Sequence, residues 1–426
     1  MFKAVPYRYR VLVLLCGLTT LTYLDRICIS IVGVRIKTEL SLSNEQFGWV
    51  LASFALAYAI FEIPSGLLGD HIGPRAVFIR IVLWWSFFTA VTGLATGLIS
   101  LIVVRFLFGI GESGTYPNCL ITISRWFPAK ETGRALTWVG IGSQVGSAIA
   151  PIIIIPLAVS FGWRMPFYIN ALIGGVWVWC CYAWFRNFPS EMRHIPAKEL
   201  HHIEADRRYS SHQRLIPLKF IFKNRTLWAL MCMYFCFQWA NYFFVAWMPV
   251  YLQEGRHFSE KETSPIIFTL FIAGIAGLLV GGFFGDWIVK RKGLRFGRRF
   301  VGMTGLGMCG LMIFLAAFTT HNYISAYCLI AANWFYSFGV MVCYAVCSDI
   351  GRNNTGTVTG AMNFFGQMGA FFLALVFGKI ADVTGNFNHP LFIVAFVLFI
   401  GCLLWLAIDP LKQVDIKTEN EPSLNY

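Results

Sequence analysis

Five ionisable residues lie well inside segments that are otherwise apolar: Asp25, Arg26, Glu62, Arg105 and Glu112. A charged side chain at the centre of a membrane helix costs about 2.5 to 3.5 kcal/mol, so these residues must form pairs or line a wet cavity. An arginine fork binds a carboxylate through two hydrogen bonds. Buried carboxylates serve as proton carriers in transporters. These residue types together predict carriage of an organic anion with protons.

The spacing of these residues predicts that they meet at similar depths. Arg105 and Glu112 are seven residues apart, about 700° of helical rotation, and therefore share one helix face. Counted from the predicted outer end at about 1.5 Å per residue, Arg105 lies near 7 Å, Asp25 near 12 Å, and Tyr58 and Glu112 near 17 Å. The alternative is that the charges form internal ion pairs that only hold the first half together. Glu62 lies one turn from Tyr58 and could face either the cavity or a cytosolic gate.

The second half offers neutral polar residues instead of charges. They are Gln238, Asn241, Tyr242, Asn333, Ser337, Asn363 and Gln367. Neutral donors suit the hydroxyl groups of a sugar acid or hydroxy acid at a low desolvation cost. Hydrogen bonding between helices explains any one of them equally well.

The elements that carry these residues are predicted membrane helices. The chain has 426 residues, of which 57% are apolar and 13% are charged, whereas a soluble chain is about 25% charged. Twelve apolar segments of about 20 residues, each long enough to cross a bilayer, follow one another along the chain. They lie near 10–33, 47–69, 75–96, 101–126, 135–159, 165–186, 226–252, 265–288, 300–319, 323–346, 358–381 and 390–410. We therefore predict an all-α polytopic membrane protein with 12 transmembrane helices.

The basic residues predict the orientation of these helices. Most of the 34 Lys and Arg residues fall in the termini and in the loops on the same side. The loops of the other side contain only Arg35, Lys37, Arg164, Arg256 and Lys261. This asymmetry predicts that both termini are cytosolic. The same basic loops explain the net charge of +13 without a nucleic-acid partner.

The segments divide into two related halves of six. We predict an N-terminal bundle at 1–186, a cytosolic loop at 187–225, a C-terminal bundle at 226–410 and a cytosolic tail at 411–426. GLLGDHIGPR (66–75) and GGFFGDWIVKRK (281–292) occupy the same place in the two halves. These repeats predict gating loops that contain Asp70, Arg75 and Asp286. Such a repeat is typical of a transporter whose site lies between two bundles.

Motifs of other function classes are weak or absent. Gly109, Gly111 and Gly114 spell GxGxxG, but they lie inside an apolar segment, where close helix packing explains them better than a dinucleotide. The sequence contains no Walker A motif, no HExxH and no CxxC. We therefore expect no enzyme activity, no metal and no cofactor, with a proton gradient as the energy source.

Several motifs resemble the major facilitator superfamily, and more closely its anion:cation symporter family. They are YLDR (23–26), SFALAYAIFEIPSG (53–66), RFLFGIGES (105–113), GWR (162–164) and WMPVYL (247–252). The resemblance implies the major facilitator fold, with Asp25 and Glu112 as proton sites and Arg26 and Arg105 on the anion. It further implies that the substrate-binding site is lined by Tyr23, Tyr58, Asn241, Tyr242 and Asn363.

The family implies proton-coupled import of a small organic anion, such as a sugar acid or another carboxylate, by alternating access. The protein would be a monomer in the bacterial inner membrane. Glu62 stands where the family usually has Gln, which adds a negative charge and leaves the charge and proton count of the substrate open. The alternative is a proton-driven exporter of a metabolite or drug.

Overall fold

The computed structural model describes residues 5–128, 130–205, 224–351 and 355–412. The regular structure in these ranges is helical, as the sequence predicts. The helices of the first half are α1 (Tyr7–Ile31), α2 (Gly33–Leu40), α3 (Asn44–Ile72), α4 (Pro74–Thr92), α5 (Leu98–Glu112), α6 (Thr115–Trp126), α7 (Thr132–Phe161) and α8 (Met165–Trp184). A short helix, α9 (Ala197–Ala205), follows. The second half contains α10 (Arg225–Gly255), α11 (Glu260–Lys292), α12 (Leu294–Phe318), α13 (Asn322–Gly351), α14 (Thr355–Thr384) and α15 (Asn388–Leu404).

Eleven membrane-length apolar helices are present in the described ranges when α5 and α6 are counted together. The twelfth predicted segment forms α15, which is apolar but only 17 residues long. Several helices run past the predicted segments because polar first turns are capped. Ser43 and Ser259 each form a capping box with the residue three positions later, so α3 and α11 begin before their apolar stretches. The predicted tail at 411–426 lies almost wholly outside the described residues, as does part of the predicted loop at 187–225.

Two of the membrane segments contain irregular stretches. The fourth apolar segment is broken at Ser113 and Gly114, so α5 ends at Glu112 and α6 begins at Thr115. In α10, the stretches Phe243–Trp247 and Tyr251–Gly255 are π-helical. Local π-helix is frequent at functional sites. The first of these π-helical stretches contacts the first half, because the Ser30 hydroxyl of α1 donates a hydrogen bond to the Ala246 backbone oxygen.

The helices of each half pack mainly among themselves. α1 packs against α7 and α8, and α11 and α12 each pack against α13. The halves meet chiefly through two pairs of helices, α3 with α14 and α7 with α11. We call the end of the molecule where α1 ends, formed by residues 31–44, 161–165, 255–260, 318–322 and 384–388, the far end. The opposite end, where α1 begins, is the near end.

Candidate functional site

Arg26 and Glu112 form a buried ion pair between α1 and α5. Arg26 Nε donates a hydrogen bond to Glu112 Oε1 at 2.8 Å, and Nη2 donates to the same oxygen. Glu112 is completely buried, and its second oxygen, Oε2, has no hydrogen-bond partner. The pair therefore leaves one carboxylate oxygen free to accept a proton or a donor.

Aromatic rings from two helices surround the Arg26 guanidinium. Its central carbon lies 4.8 Å from the ring centroid of Tyr23, 5.0 Å from that of Phe54 and 5.1 Å from that of Tyr58. Such contacts favour a cation that has lost its water. Tyr23 and Tyr58 thus lie beside Arg26, close to the residues with which the sequence grouped them.

Glycines bring α5 close to its neighbours and so position Glu112. A Cβ on Gly109 would lie 2.8 Å from the backbone oxygen of Phe54, and one on Gly111 would lie 2.5 Å from the ring of Trp84. Only a residue without a side chain permits these approaches. The packing explanation of GxGxxG thus holds for these two glycines.

Arg105 is a buried cation without an ion pair. Its side chain is only 2% exposed, and its Nε has no hydrogen-bond partner. Within the described ranges, no carboxylate lies within salt-bridge distance of its guanidinium. The ring centroids of Phe108 and Phe54 lie 4.3 Å and 5.2 Å from its central carbon. Arg105 is therefore positioned by aromatic rings, and its hydrogen-bonding fork is available to an anion.

Asp25 lies beside Arg105 and Glu112, within electrostatic range of both. Neither of its carboxyl oxygens has a hydrogen-bond partner, although the side chain is 1% exposed. The side chains of Asn170 and Trp85 lie close to Asp25, and their side-chain nitrogens are also unpartnered. The sequence analysis did not single out Asn170 or Trp85. Asn170 could have been identified from the sequence as a single amide side chain in an otherwise apolar segment.

Glu62 bridges the two halves. Its Oε1 accepts a hydrogen bond of 3.0 Å from Nδ2 of Asn363, whereas its buried Oε2 has no partner. Glu62 thus faces the boundary between the halves.

The other second-half candidates differ in their contacts. The hydroxyl of Tyr242 donates a 2.6 Å hydrogen bond to the backbone oxygen of Leu51 in the first half, and Tyr242 lies within electrostatic range of Arg105. Asn241 is partly exposed one residue earlier. Asn333 donates to the backbone oxygen of Leu270 within its own half, which is a structural bond.

The predicted gating residues lie at the near end. Asp70 and Asp286 are exposed. The Arg75 backbone N–H donates to Asn187, and its guanidinium donates to the Tyr182 backbone oxygen and lies over the Tyr182 ring. These contacts connect Arg75 to its own half.

Polar links join the two halves at the far end. Arg35 donates two hydrogen bonds, of 2.7 and 2.9 Å, to the carboxylate of Glu260. Lys37 donates to Glu254 at 2.5 Å. Asp382 accepts hydrogen bonds from the backbone N–H groups at the start of α3, at 3.1 Å from Asn44 and 2.7 Å from Glu45. We call Arg35, Lys37, Glu254, Glu260 and Asp382 the far-end links. The sequence analysis counted Arg35 and Lys37 only as loop charges.

Residues 15–372 match the sequence profile of the Major Facilitator Superfamily. The chain belongs to this superfamily. The predicted resemblance is therefore confirmed, and so is the prediction of a multi-pass membrane transporter rather than an enzyme.

Solved structures of the superfamily share the fold. A bacterial homologue of the human lysosomal transporter Spinster aligns with a TM-score of 0.72 at 19% sequence identity. The alignment covers 95% of this chain and 98% of that one. The major facilitator fold is thus confirmed.

Similar proteins are transporters of organic anions. A probable sulfoacetate transporter of Cupriavidus necator is 30% identical, over 100% of this chain and 99% of its own length. A hexuronate transporter of Bacillus subtilis is 30% identical, over 95% of this chain and 96% of its own length. A probable L-galactonate transporter of Escherichia coli is 29% identical, over 94% of this chain and 90% of its own length.

Proposed function

We propose that this protein imports a small organic anion together with protons by alternating access. Arg105 carries the proposal, because it is a buried guanidinium that has no ion pair among the described residues. A buried charge left without a partner is strongly destabilising. A substrate carboxylate or sulfonate would supply the missing partner. The relatives transport sulfonates and sugar acids, which supports this class of substrate.

The Arg26–Glu112 pair suggests how protons are coupled to the anion. Protonation of Glu112 removes the charge that holds Arg26, so Arg26 becomes available to join Arg105 on the anion. Loss of the proton restores the ion pair and expels the anion. Asp25, which lacks hydrogen-bonded partners, is the second proposed proton site. Tyr23, Tyr58, Asn241, Tyr242 and Asn363 line the site in this proposal.

The protein would be a monomer in the inner membrane of a bacterium, with both termini cytosolic. Its two halves, 1–186 and 226–410, would rock about this site. The gating loops around Asp70, Arg75 and Asp286 would open and close the near end. No cofactor is required, since the proton gradient supplies the energy. One proton with a monoanion is electroneutral, whereas two protons carry a net positive charge inward and gain about 2.3 kcal/mol per 100 mV.

Reconstituted protein tests the proposal. The wild type should accumulate labelled hexuronate or galactonate when a proton gradient is directed inward, and a protonophore should abolish the accumulation. Glu112→Gln should still exchange anion across the membrane but lose gradient-driven accumulation. Glu39→Gln, which removes an exposed carboxylate at the far end, is the matched control and should transport like the wild type. Equal uptake with and without the gradient would refute coupling.

A further inference from the structure

One face of α3 connects the free cation Arg105 to the free carboxylate oxygen of Glu62. Phe54, Tyr58 and Glu62 recur every four residues and therefore lie along one face of the helix. Arg105 lies over the ring of Phe54 at the first position of this row. Arg26 lies between, within 5.0 Å of the Phe54 centroid and 5.1 Å of the Tyr58 centroid. The site is therefore elongated, with a cation at one end and a carboxylate at the other.

Glu62 is equipped to accept hydrogen bonds. Asn363 satisfies only one of its oxygens, and Oε2 is buried without a partner. A buried acceptor without a donor is destabilising. Tyr58 and Tyr344 lie within electrostatic range of Glu62, and so does the Arg26 guanidinium, but none of them donates a hydrogen bond to Oε2. A donor group on a ligand would satisfy this oxygen.

Building on the proposed function, we infer that Glu62 and Asn363 form a subsite for a hydroxyl or ammonium group of the transported anion, remote from the acid group that Arg105 binds. A second carboxylate in this subsite would face Glu62 and be repelled. The cargo is therefore a monoanion with a polar donor at its other end, rather than a dianion.

The length of the site restricts the cargo further. Glu62 follows Phe54 by eight residues, which is about 12 Å along the helix axis. Arg105 contacts this helix at the Phe54 end of the stretch and Glu62 lies at the other end, so a ligand that reaches both must be extended. A chain of several carbon atoms bridges this gap, whereas a two-carbon acid does not.

Four acids with the same six-carbon chain test the inference: hexanoate, 6-hydroxyhexanoate, 6-aminohexanoate and adipate. Their binding to the purified full-length protein is measured by calorimetry. Hydrogen bonds to a charged group contribute about 1.5 to 3 kcal/mol, so the hydroxy and amino acids should bind roughly 10- to 100-fold more tightly than hexanoate. Adipate should bind more weakly than either.

Variants of Glu62 identify the subsite. Glu62→Gln should remove the preference for 6-aminohexanoate and improve the binding of adipate. Glu62→Asp retains the charge on a shorter side chain, so it should prefer 7-hydroxyheptanoate to 6-hydroxyhexanoate. Ser30→Ala is the matched control, because it removes the hydrogen bond from Ser30 to the Ala246 backbone oxygen, which also joins the two halves. It should leave the order of the four acids unchanged.

Three results would overturn the inference. An unchanged order of acids in Glu62→Gln would exclude Glu62 from the subsite. If Glu62→Gln kept the order of the four acids but lost the proton dependence of transport, Glu62 would be a proton site instead. Tighter binding of adipate than of 6-hydroxyhexanoate by the wild type would also contradict it. Failure of the wild type to transport any organic anion would instead refute the proposed function.

Discussion

The two arginines of the site differ in their partners. Arg26 has a carboxylate and three rings, whereas Arg105 has two rings and no ion pair in the described ranges. Cation–π contacts contribute about 0.5 to 2 kcal/mol each, which offsets only part of the cost of burying a charge. Arg105 therefore makes the empty site less stable, and an anion should relieve that cost.

Replacement of Arg105 by an apolar residue should separate stability from binding. Arg105→Met should raise the thermal midpoint of the ligand-free protein, because exchange of buried ionic groups for apolar ones often stabilises by about 1 to 4 kcal/mol. The same variant should lose stabilisation by substrate. Thermal unfolding in detergent, with and without anion, measures both effects.

Arg105→Lys is the control for charge. It retains the cation but lacks the planar fork, so it should bind anion more weakly than the wild type while remaining responsive to it. A lower midpoint for Arg105→Met without ligand would show that Arg105 stabilises the first half.

Among the helices, the close contact of α3 with α5 sets the position of both arginines. Gly109→Ala should destabilise the protein by about 1 to 3 kcal/mol, since the new Cβ meets the backbone oxygen of Phe54 rather than a flexible side chain. Gly175→Ala in α8 is the matched control, because no atom lies within 4 Å of its Cβ position. It should be neutral or stabilising by up to about 1 kcal/mol. Comparable losses in both variants, measured by thermal unfolding, would contradict the packing argument.

The pairing of Arg35 with Glu260 should hold the far end closed. Arg35→Glu places two carboxylates together and should lengthen the distance between spin labels at Thr38 and Lys261, which lie on opposite halves. The double variant Arg35→Glu with Glu260→Arg, which exchanges the two charges, should restore the wild-type distance between the labels.

Glu39 provides the control for this pair. It accepts hydrogen bonds from Arg164 and Trp163 at the same end but within the first half. These hydrogen bonds, above all that from Arg164, lower the pKa of Glu39, which is therefore ionised at neutral pH. Glu39→Gln should leave the label distance unchanged. Equal lengthening in Glu39→Gln and Arg35→Glu would show that the pair does not join the halves.

The sequence predicted the helices better than their irregularities. Apolar stretches located every long helix, because the bilayer demands uninterrupted apolar length. The break at Ser113 and Gly114 and the π-helical turns of α10 were not predicted, since their residues are as apolar or as small as those around them. Both are accompanied by contacts between distant parts of the chain: Ser113 is hydrogen-bonded to Ser65 of α3, and the Ala246 backbone oxygen accepts from Ser30 of α1.

Within the site, the charged residue types were enough to identify the candidate residues, but the sequence did not predict which of them contact one another. The cost of burial marked Asp25, Arg26, Glu62, Arg105 and Glu112 without knowledge of the fold. Which carboxylate pairs with which arginine depends on how far the side chains reach in the folded protein. The ion pair between Arg26 and Glu112 could therefore not be predicted from the sequence. The contact of Glu62 with Asn363 joins residues 301 positions apart, a separation across which no local pattern operates.

Across the whole molecule, the far-end links join the halves, whereas the ion pairs that the described residues form at the near end lie within one half. Arg8 pairs with Glu131 in the first half, and Arg298 pairs with Asp349 in the second. Together with the predicted orientation, this distribution describes a conformation that is closed to the outside.

Chemical labelling of whole cells tests this orientation. A cysteine introduced at Thr38 should react with a membrane-impermeant maleimide added outside, because the side chain is exposed at the far end. A cysteine at Ser190, exposed at the near end, should react only after the cells are permeabilised. The exposed Cys180 is replaced in both variants. The reverse pattern would place the termini outside.

The bonds of Asp382 with the start of α3 have a consequence for the speed of the cycle. Each N–H group that Asp382 binds is one that water reaches as soon as the halves separate, and the carboxylate is rehydrated at the same moment. Exchange of a protein partner for water changes the free energy by only about 0.5 to 1.5 kcal/mol per neutral bond and somewhat more for a charged one. An apolar seal would instead have to expose its whole buried area. The closure of the far end is therefore readily reversible, and in the proposed cycle small changes at the centre decide at which end the protein opens.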